Sequence, residues 1–279
     1  MKRISRVFVL ILAMAGLCFA AFEARADMND SSVKVKWGYI GNNGPVRWGQ
    51  LNPAFALCSK GQSQSPINID KKFKKMDSDL EIHYQPAMMR IVDDGITQLL
   101  IKSTQTVIND GHGIQLNFPR NGARETIRFG GVDYHLEQFH MHSPSENTLN
   151  GQAFPMEIHF VHQGDDGKVA VIGVFVKAGK ANPVLQNLID HFPSDEGIEH
   201  SLQGVQINPV DLLPERRAFF YFSGSLTTPP CTEGLQWIVM PEPITASSAQ
   251  ILLFRNAAGG ENARPVQPRH KRKIFYSEK

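Results

Sequence analysis

Nine short segments of this chain either alternate apolar and polar residues or string β-branched residues together, and turn residues close each of them. They are Leu80–Tyr84, Gln98–Ile108, Ile114–Phe118, Thr126–Phe129, Tyr134–His142, Met156–His162, Val169–Lys177, Ala218–Phe222 and Leu235–Met240. On an extended backbone successive side chains point to opposite faces, so this period of two predicts strands. Helical spacing is confined to Pro183–His191, with its Val184, Leu185 and Leu188 face, and to Ala246–Arg255. Strands that do not alternate with helices exclude a βαβ series. They predict a single, mainly β domain, bordering on α+β, with a few short peripheral helices. Asp27–Ile67 has no clear period and reads as an N-terminal arm crossing the surface.

The first 26 residues stand apart. Lys2, Arg3 and Arg6 precede an apolar run from Val7 to Phe22, and Ala24-Arg25-Ala26 then matches the small-x-small pattern at which signal peptides are cut. The run is short for a membrane span, which needs roughly 20 apolar residues. Residues 1–26 therefore read as a signal peptide cleaved after Ala26, and 27–279 as one exported domain, periplasmic or secreted, with no stable membrane insertion. The formal charge of the chain is +2, of which the segment to Ala26 contributes +3, leaving −1. A nearly neutral mature chain gives no electrostatic footprint for nucleic acid. The basic cluster Arg269–Lys273 reads as a solvated tail or edge strand. Cys18 leaves with the signal, and an even pair, Cys58 and Cys231, is expected to be joined in an oxidising compartment. Closing so long a loop stabilises a fold by about 4–5 kcal/mol in the chain-entropy model.

Chemistry concentrates in Gln138-Phe139-His140-Met141-His142. In strand phase, Gln138, His140 and His142 line one face while Phe139 and Met141 line the other. A second strand, Met156–His162, puts Glu157, His159 and Val161 on one face and sends His162 to the opposite one. Three imidazoles, His140, His142 and His159, with no fourth protein ligand, match a catalytic zinc site that keeps a position open for water. Gln138 and Glu157 are placed to accept hydrogen bonds from those imidazoles and fix their tautomers.

With these residues in view, the sequence resembles the alpha-class carbonic anhydrases of the exported bacterial type. The resemblance rests on an ordered set of segments from Trp37-Gly38-Tyr39 onward. They are Gln64-Ser65-Pro66-Ile67, Asn109-Asp110-Gly111-His112, Gln138–His142, Ser145-Glu146, Glu157-Ile158-His159, Ser225–Cys231, Trp237 and Asn262-Ala263-Arg264-Pro265. It implies a large, twisted, mostly antiparallel sheet and the reversible hydration of carbon dioxide to bicarbonate and a proton by hydroxide generated on zinc. Carried over residue by residue, it implies that His140, His142 and His159 hold zinc, and that Thr227 accepts a hydrogen bond from the hydroxide and donates one to Glu146. It makes His112 the proton shuttle, and Val161, Val171, Leu226, Leu235, Trp237 and Thr228 the substrate pocket. Val161 is also placed by its own strand phase, beside His159. Exported members carry a disulfide that Cys58 and Cys231 fit, and exported bacterial relatives are often dimers, so a homodimer is in view. Ser143 and Asn147 depart from the Trp and His that many members have there.

Two other readings fit parts of the sequence. His140-x-His142-x3-Glu146 also matches a cupin motif, which would make Glu146 a fourth ligand to iron or manganese in an oxidoreductase or isomerase. A non-catalytic binding module on the anhydrase fold would usually lack one of the histidines, and here all three are present.

Overall fold

The computed structural model describes residues 35–84, 105–119, 125–202 and 205–278. The signal-peptide reading, the cleavage position and the N-terminal part of the Gln98–Ile108 strand lie outside the described residues. Fourteen strands are present among them: β1 (Asn68–Ile69), β2 (Lys74–Lys75), β3 (Glu81–His83), β4 (Thr106–Asn109), β5 (Ile114–Asn117), β6 (Thr126–Phe129) and β7 (Val132–His142). The second half comprises β8 (Thr148–Leu149), β9 (Met156–Gly164), β10 (Val169–Ala178), β11 (Glu199–Ser201), β12 (Phe219–Ser225), β13 (Glu233–Ala246) and β14 (Phe275–Ser277). Twelve of them form one mixed, mostly antiparallel sheet in the order β11-β4-β5-β7-β9-β10-β13-β12-β14-β2, with β3 and β6 paired off β7, while β1 and β8 make a separate two-stranded pair. Four short helices accompany them: α1 (Trp48–Leu51), α2 (Leu57–Lys60), α3 (Pro183–Ile189) and α4 (Ser248–Ala257). The mainly β expectation holds. The parallel pairing of β10 with β13 carries no signal in the local pattern.

The central strands β7, β9 and β10 are long, and β9 and β10 are buried on both faces because each face meets a different core, whereas β7 buries one face and half-buries most of the other. Phe139, Met141, Ile158, Phe160 and Ile172 pack on one side with Leu185, Leu188 and Phe254 of α3 and α4. Val161, Val171, Phe175, Phe222, Leu235 and Trp237 make the core on the other. Each of the two longer helices is started by its own side chains. Asn182 accepts from the amides of Val184 and Leu185, and Ser247 and Gln250 form a reciprocal capping box.

The arm is more than a surface crossing. Trp48, which is fully buried, packs with Phe55, Cys58 and Cys231 into a third, small core, flanked by Trp37 and Tyr39. Short helical turns, each too brief to show a period, explain why no pattern was visible there. The Cys58–Cys231 disulfide is formed and spans 173 residues. The C-terminal basic cluster also does more than sit in solvent: Arg269 pairs with Asp70 at 3.0 Å, and Arg272 donates to the Gln64 carbonyl at 2.8 Å.

Candidate metal centre and active site

The register of β7 against β9 sets His140 opposite His159 and His142 opposite Glu157. The three imidazoles therefore gather on one face, with ring centroids 4.7–5.5 Å apart. Among the described residues they form a cluster whose ligand atoms all lie within 4.8 Å of one another. Two of the rings hydrogen-bond their second nitrogen, and the third sets it against a carboxylate. His140 Nδ1 is 2.8 Å from Gln138 Oε1, and His142 Nδ1 is 2.7 Å from the Asn262 carbonyl. His159 Nε2 lies 3.2 Å from Glu157 Oε1. Those contacts leave His140 Nε2, His142 Nε2 and His159 Nδ1 to converge.

Burial disfavours the charged form of all three, and their mutual repulsion lowers His140 and His159 further, so the rings are held neutral. Neutral imidazole is the state a metal binds. Buried His142 Nε2 and Glu146 Oε2 have no hydrogen-bond partner, nor does His159 Nε2 beside Glu157, and an unpaired buried polar atom is costly. Three neutral nitrogens aimed at one point fit a zinc ion with an open fourth position.

Glu157 organises this centre from below. Its Oε2 accepts from the amides of Glu146 and Asn147 at 2.9 and 2.8 Å, and its Oε1 accepts from Asn147 Nδ2 at 2.8 Å. Room for the carboxylate comes from Gly173, across the sheet: a Cβ there would lie 2.8 Å from Glu157 Oε1. Burial pushes the Glu157 carboxyl up to about 7, against those hydrogen bonds.

Glu146 is fully enclosed, with Oε2 at 3.5 Å from His142 Nε2 and 3.8 Å from His159 Nδ1. Its Oε1 accepts from the Arg264 amide at 2.8 Å. Burial raises its carboxyl to about 8, opposed by the Thr227 hydroxyl and the Arg264 amide that hydrogen-bond to it. A divalent cation among the imidazoles would lower it again, since an opposite charge within about 4–6 Å favours the ionised form. Among the described residues the cluster of mutually close ligand atoms comprises His140, His142 and His159 without Glu146, which sets Glu146 apart from the fourth ligand of a cupin.

The apolar side of the site is a row across the sheet. Val161 faces Val171 on β10, and Val171 faces Trp237 on β13. The Trp237 ring stands edge-on to His159, with centroids 4.9 Å apart, and its indole N–H donates to the Ser225 carbonyl at 3.0 Å. Leu235 lies in the same core, with Leu226 packed against it. Thr227 is buried and Thr228 half-buried.

The model of the eukaryotic-type carbonic anhydrases matches residues 43–278. The chain belongs to this family. A carbonic anhydrase of Neisseria gonorrhoeae is 38% identical over 279 residues, covering 99% of this chain and 100% of the relative. One from Klebsiella pneumoniae is 41% identical over 92% of this chain and 97% of its own. In structure, the alpha-carbonic anhydrase of Thermovibrio ammonificans, solved with the inhibitor sulfanilamide, aligns with a TM-score of 0.77 at 39% identity, over 87% of this chain and 100% of that one. The anhydrase reaction, reversible hydration of carbon dioxide, is this chain's reaction.

Several residues of the anhydrase site carried no chemical signal in the sequence. Asn262 binds the ligand strand and the His112 turn together: its carbonyl accepts from His142, its Oδ1 accepts from the Ser143 amide at 2.7 Å, and its Nδ2 donates to the carbonyls of Met141 and His112 at 2.9 and 3.0 Å. Arg264 joins the arm to Glu146. Its Nη1 donates to Gln64 Oε1 and the Ser65 carbonyl, and its Nη2 to the Cys58 carbonyl, at 2.7–2.9 Å. Both residues stood in the motif Asn262–Pro265, but their partners are more than a hundred positions away, beyond the reach of spacing arguments. His112 lies in the turn after β4, where its ring stacks on Trp37 at 3.7 Å between centroids, with Tyr39 edge-on.

Proposed function

We propose that this anhydrase works with one zinc ion held by His140, His142 and His159, with Thr227 and Glu146 orienting the reacting oxygen and His112 carrying the proton away. The observation that carries the reading is the convergence of three neutral imidazole nitrogens, with the other nitrogens of His140 and His142 hydrogen-bonded and that of His159 beside Glu157. When bound, zinc supplies the Lewis acidity that brings the pKa of a water molecule to roughly 7. Everything else falls to the chain. Glu146, ionised, has only acceptor oxygens. One of them is occupied by the Arg264 amide, so the Thr227 hydroxyl must donate to the carboxylate and can only accept from the nucleophile. That one-way order aims a lone pair of the nucleophile at the substrate carbon.

Carbon dioxide has no charge or dipole to be gripped, and the row Val161, Val171 and Trp237, with Leu226, Leu235 and Thr228 around it, offers a wall on which it can rest without displacing hydrogen bonds. Each turnover leaves one proton at the metal, and His112, half-buried at the end of its turn, is suited by its imidazole to accept it and release it to buffer. Every residue in these roles comes from one chain, so a homodimer would not be needed to complete the site. The disulfide, the A-x-A segment and the bacterial relatives support export to the periplasm after cleavage at Ala26.

Stopped-flow hydration with metal analysis on the same sample tests the reading. We expect about one zinc per chain, inhibition by a sulfonamide such as that bound by the Thermovibrio relative, and a loss in kcat/KM of about 100-fold in Thr227→Val with zinc retained. Full zinc without hydration would turn the claim into a binding module.

A further inference from the structure

The turn that presents His112 is shaped to receive a carboxylate from outside the active site. Gly111 has φ +82°, and a Cβ on it would lie 2.3 Å from Glu196 Oε1 and 2.8 Å from Glu196 Cδ. The carboxylate therefore occupies the space that any side chain at position 111 would take. Glu196 is fixed there by its backbone: it bridges to Asn109, and the Gly197 amide donates to the Asn109 carbonyl at 2.7 Å. Position 112 follows directly, with its amide on Asp110 Oδ1 at 2.9 Å and its carbonyl held by Asn262. The imidazole stacks on Trp37, and the carboxylate of Glu196 lies against the residue before it.

We propose that Glu196 is a positioning residue for the proton relay, holding the protonated imidazole of His112 at the cleft rim. The inference rests on the reading of His112 as the shuttle and adds a residue from a separate loop to it. Among the described residues, the titratable groups facing the ring are Tyr39 from the arm, Asp110 from its own turn and Glu196 from the loop before β11. Burial disfavours the imidazolium and lowers the His112 pKa, while Asp110 and then Glu196 oppose that fall. Asp110 is committed to the turn through its bond to the His112 amide. Glu196 is exposed, and no hydrogen bond from its carboxylate to this turn is required for the backbone to hold its shape. It can therefore act on the charge of the ring alone. A relay needs this balance: a ring pushed too far down accepts a proton poorly, and one held too high fails to release it.

The experiment uses the full zinc enzyme and follows His112 directly by the NMR titration of its ring C–H signals, beside kcat and kcat/KM for hydration across pH. In Glu196→Gln the His112 midpoint should fall by about 0.3–0.5 pH unit at low salt, the range of an exposed charge pair, and by less at 1 M salt. Glu196→Lys should push it further in the same direction. The acid limb of kcat should follow the midpoint, while kcat/KM, which reports the hydration step, stays at the wild-type value. A midpoint unmoved in both variants overturns the inference, whatever the rates do. The relay reading is tested separately by His112→Ala: a kcat unchanged in dilute buffer would remove His112 from the relay. If the relay stands, Glu196→Gln should have no further effect on kcat once His112 is replaced by Ala.

Discussion

Strands β7 and β9 meet buried histidines on both faces of the sheet, and the two faces treat them in opposite ways. His162, fully buried, is satisfied: Nε2 lies 2.6 Å from the Tyr84 hydroxyl, Nδ1 lies 3.3 Å from the Ala170 carbonyl, and the Tyr84 ring is nearly parallel to its own. Burial lowers its pKa to about 3. Burial lowers His140, His142 and His159 on the other face as well. A depressed pKa therefore marks a histidine as interior and no more. What separates the faces is that one hydrogen-bonds both ring nitrogens of its histidine, while the other leaves one nitrogen of each ring free of protein partners and turns those three toward a common point. The first arrangement stabilises a core, and the second holds an ion.

Replacing one histidine on each face breaks the comparison most sharply. His159→Ala should lose zinc and lower carbon dioxide hydration by about 1,000-fold or more, since two imidazoles no longer make a closed three-ligand site. His162→Ala should keep zinc stoichiometry and rate, yet unfold more easily by about 2–4 kcal/mol, from the void and from the unpaired Tyr84 hydroxyl. Metal analysis, stopped-flow rates and urea melts on the two variants decide it. Zinc lost from His162→Ala would mean that the faces are not separable.

The same pair differs in acid. A base whose folded pKa lies below its unfolded value binds fewer protons when folded, so its contribution to stability is complete above the unfolded value and is lost as pH falls toward the folded one. With an unfolded value near 6.5 and a folded value of about 3, His162 should withdraw about 3 kcal/mol of stability between pH 6.5 and 4, at roughly 1.4 kcal/mol per pH unit. His162→Gln, which keeps a partner for Tyr84 but cannot titrate, should flatten that part of the acid limb in denaturant melts. An unchanged slope would show that the buried ring is not what the acid attacks.

How much of this was legible follows from the range of each interaction. Strand phase placed His140, His142 and His159 together, sent His162 away, and put Phe139 and Met141 into a core, because a period of two is a local property. Gln138 and Glu157 were found for the same reason, each two residues from the histidine it serves. Asn262, which orients His142 from 120 residues away, and Arg264, which reaches Glu146, Gln64 and Cys58, could be quoted only as parts of a family motif. Their partners are set by how a C-terminal coil crosses the finished sheet. The third core around Trp48 escaped because three- and four-residue helical turns leave no period. Asn147, noted in the sequence only as a departure, proved to be the buried side chain that donates to Glu157 Oε1.

The smallest effects should come from the partners rather than the histidines, and they resolve the comparison most finely. Gln138 and Tyr84 play matching parts, each occupying one ring nitrogen at 2.8 and 2.6 Å. Gln138→Ala should weaken zinc binding by about 10-fold, measured by competition with a chelator, because His140 loses the acceptor that fixes its tautomer and direction. Its effect on the melting of the metal-free protein should be slight, since Gln138 is only half-buried and water can replace it. Tyr84→Phe should do the reverse, costing about 1–2 kcal/mol of stability by leaving a buried nitrogen of His162 unpaired, with zinc affinity unchanged. A crossed result, with Tyr84→Phe weakening zinc, would require that the ring on the core face steers its neighbours on β9. The strand would then transmit strain between faces that the hydrogen bonds keep apart.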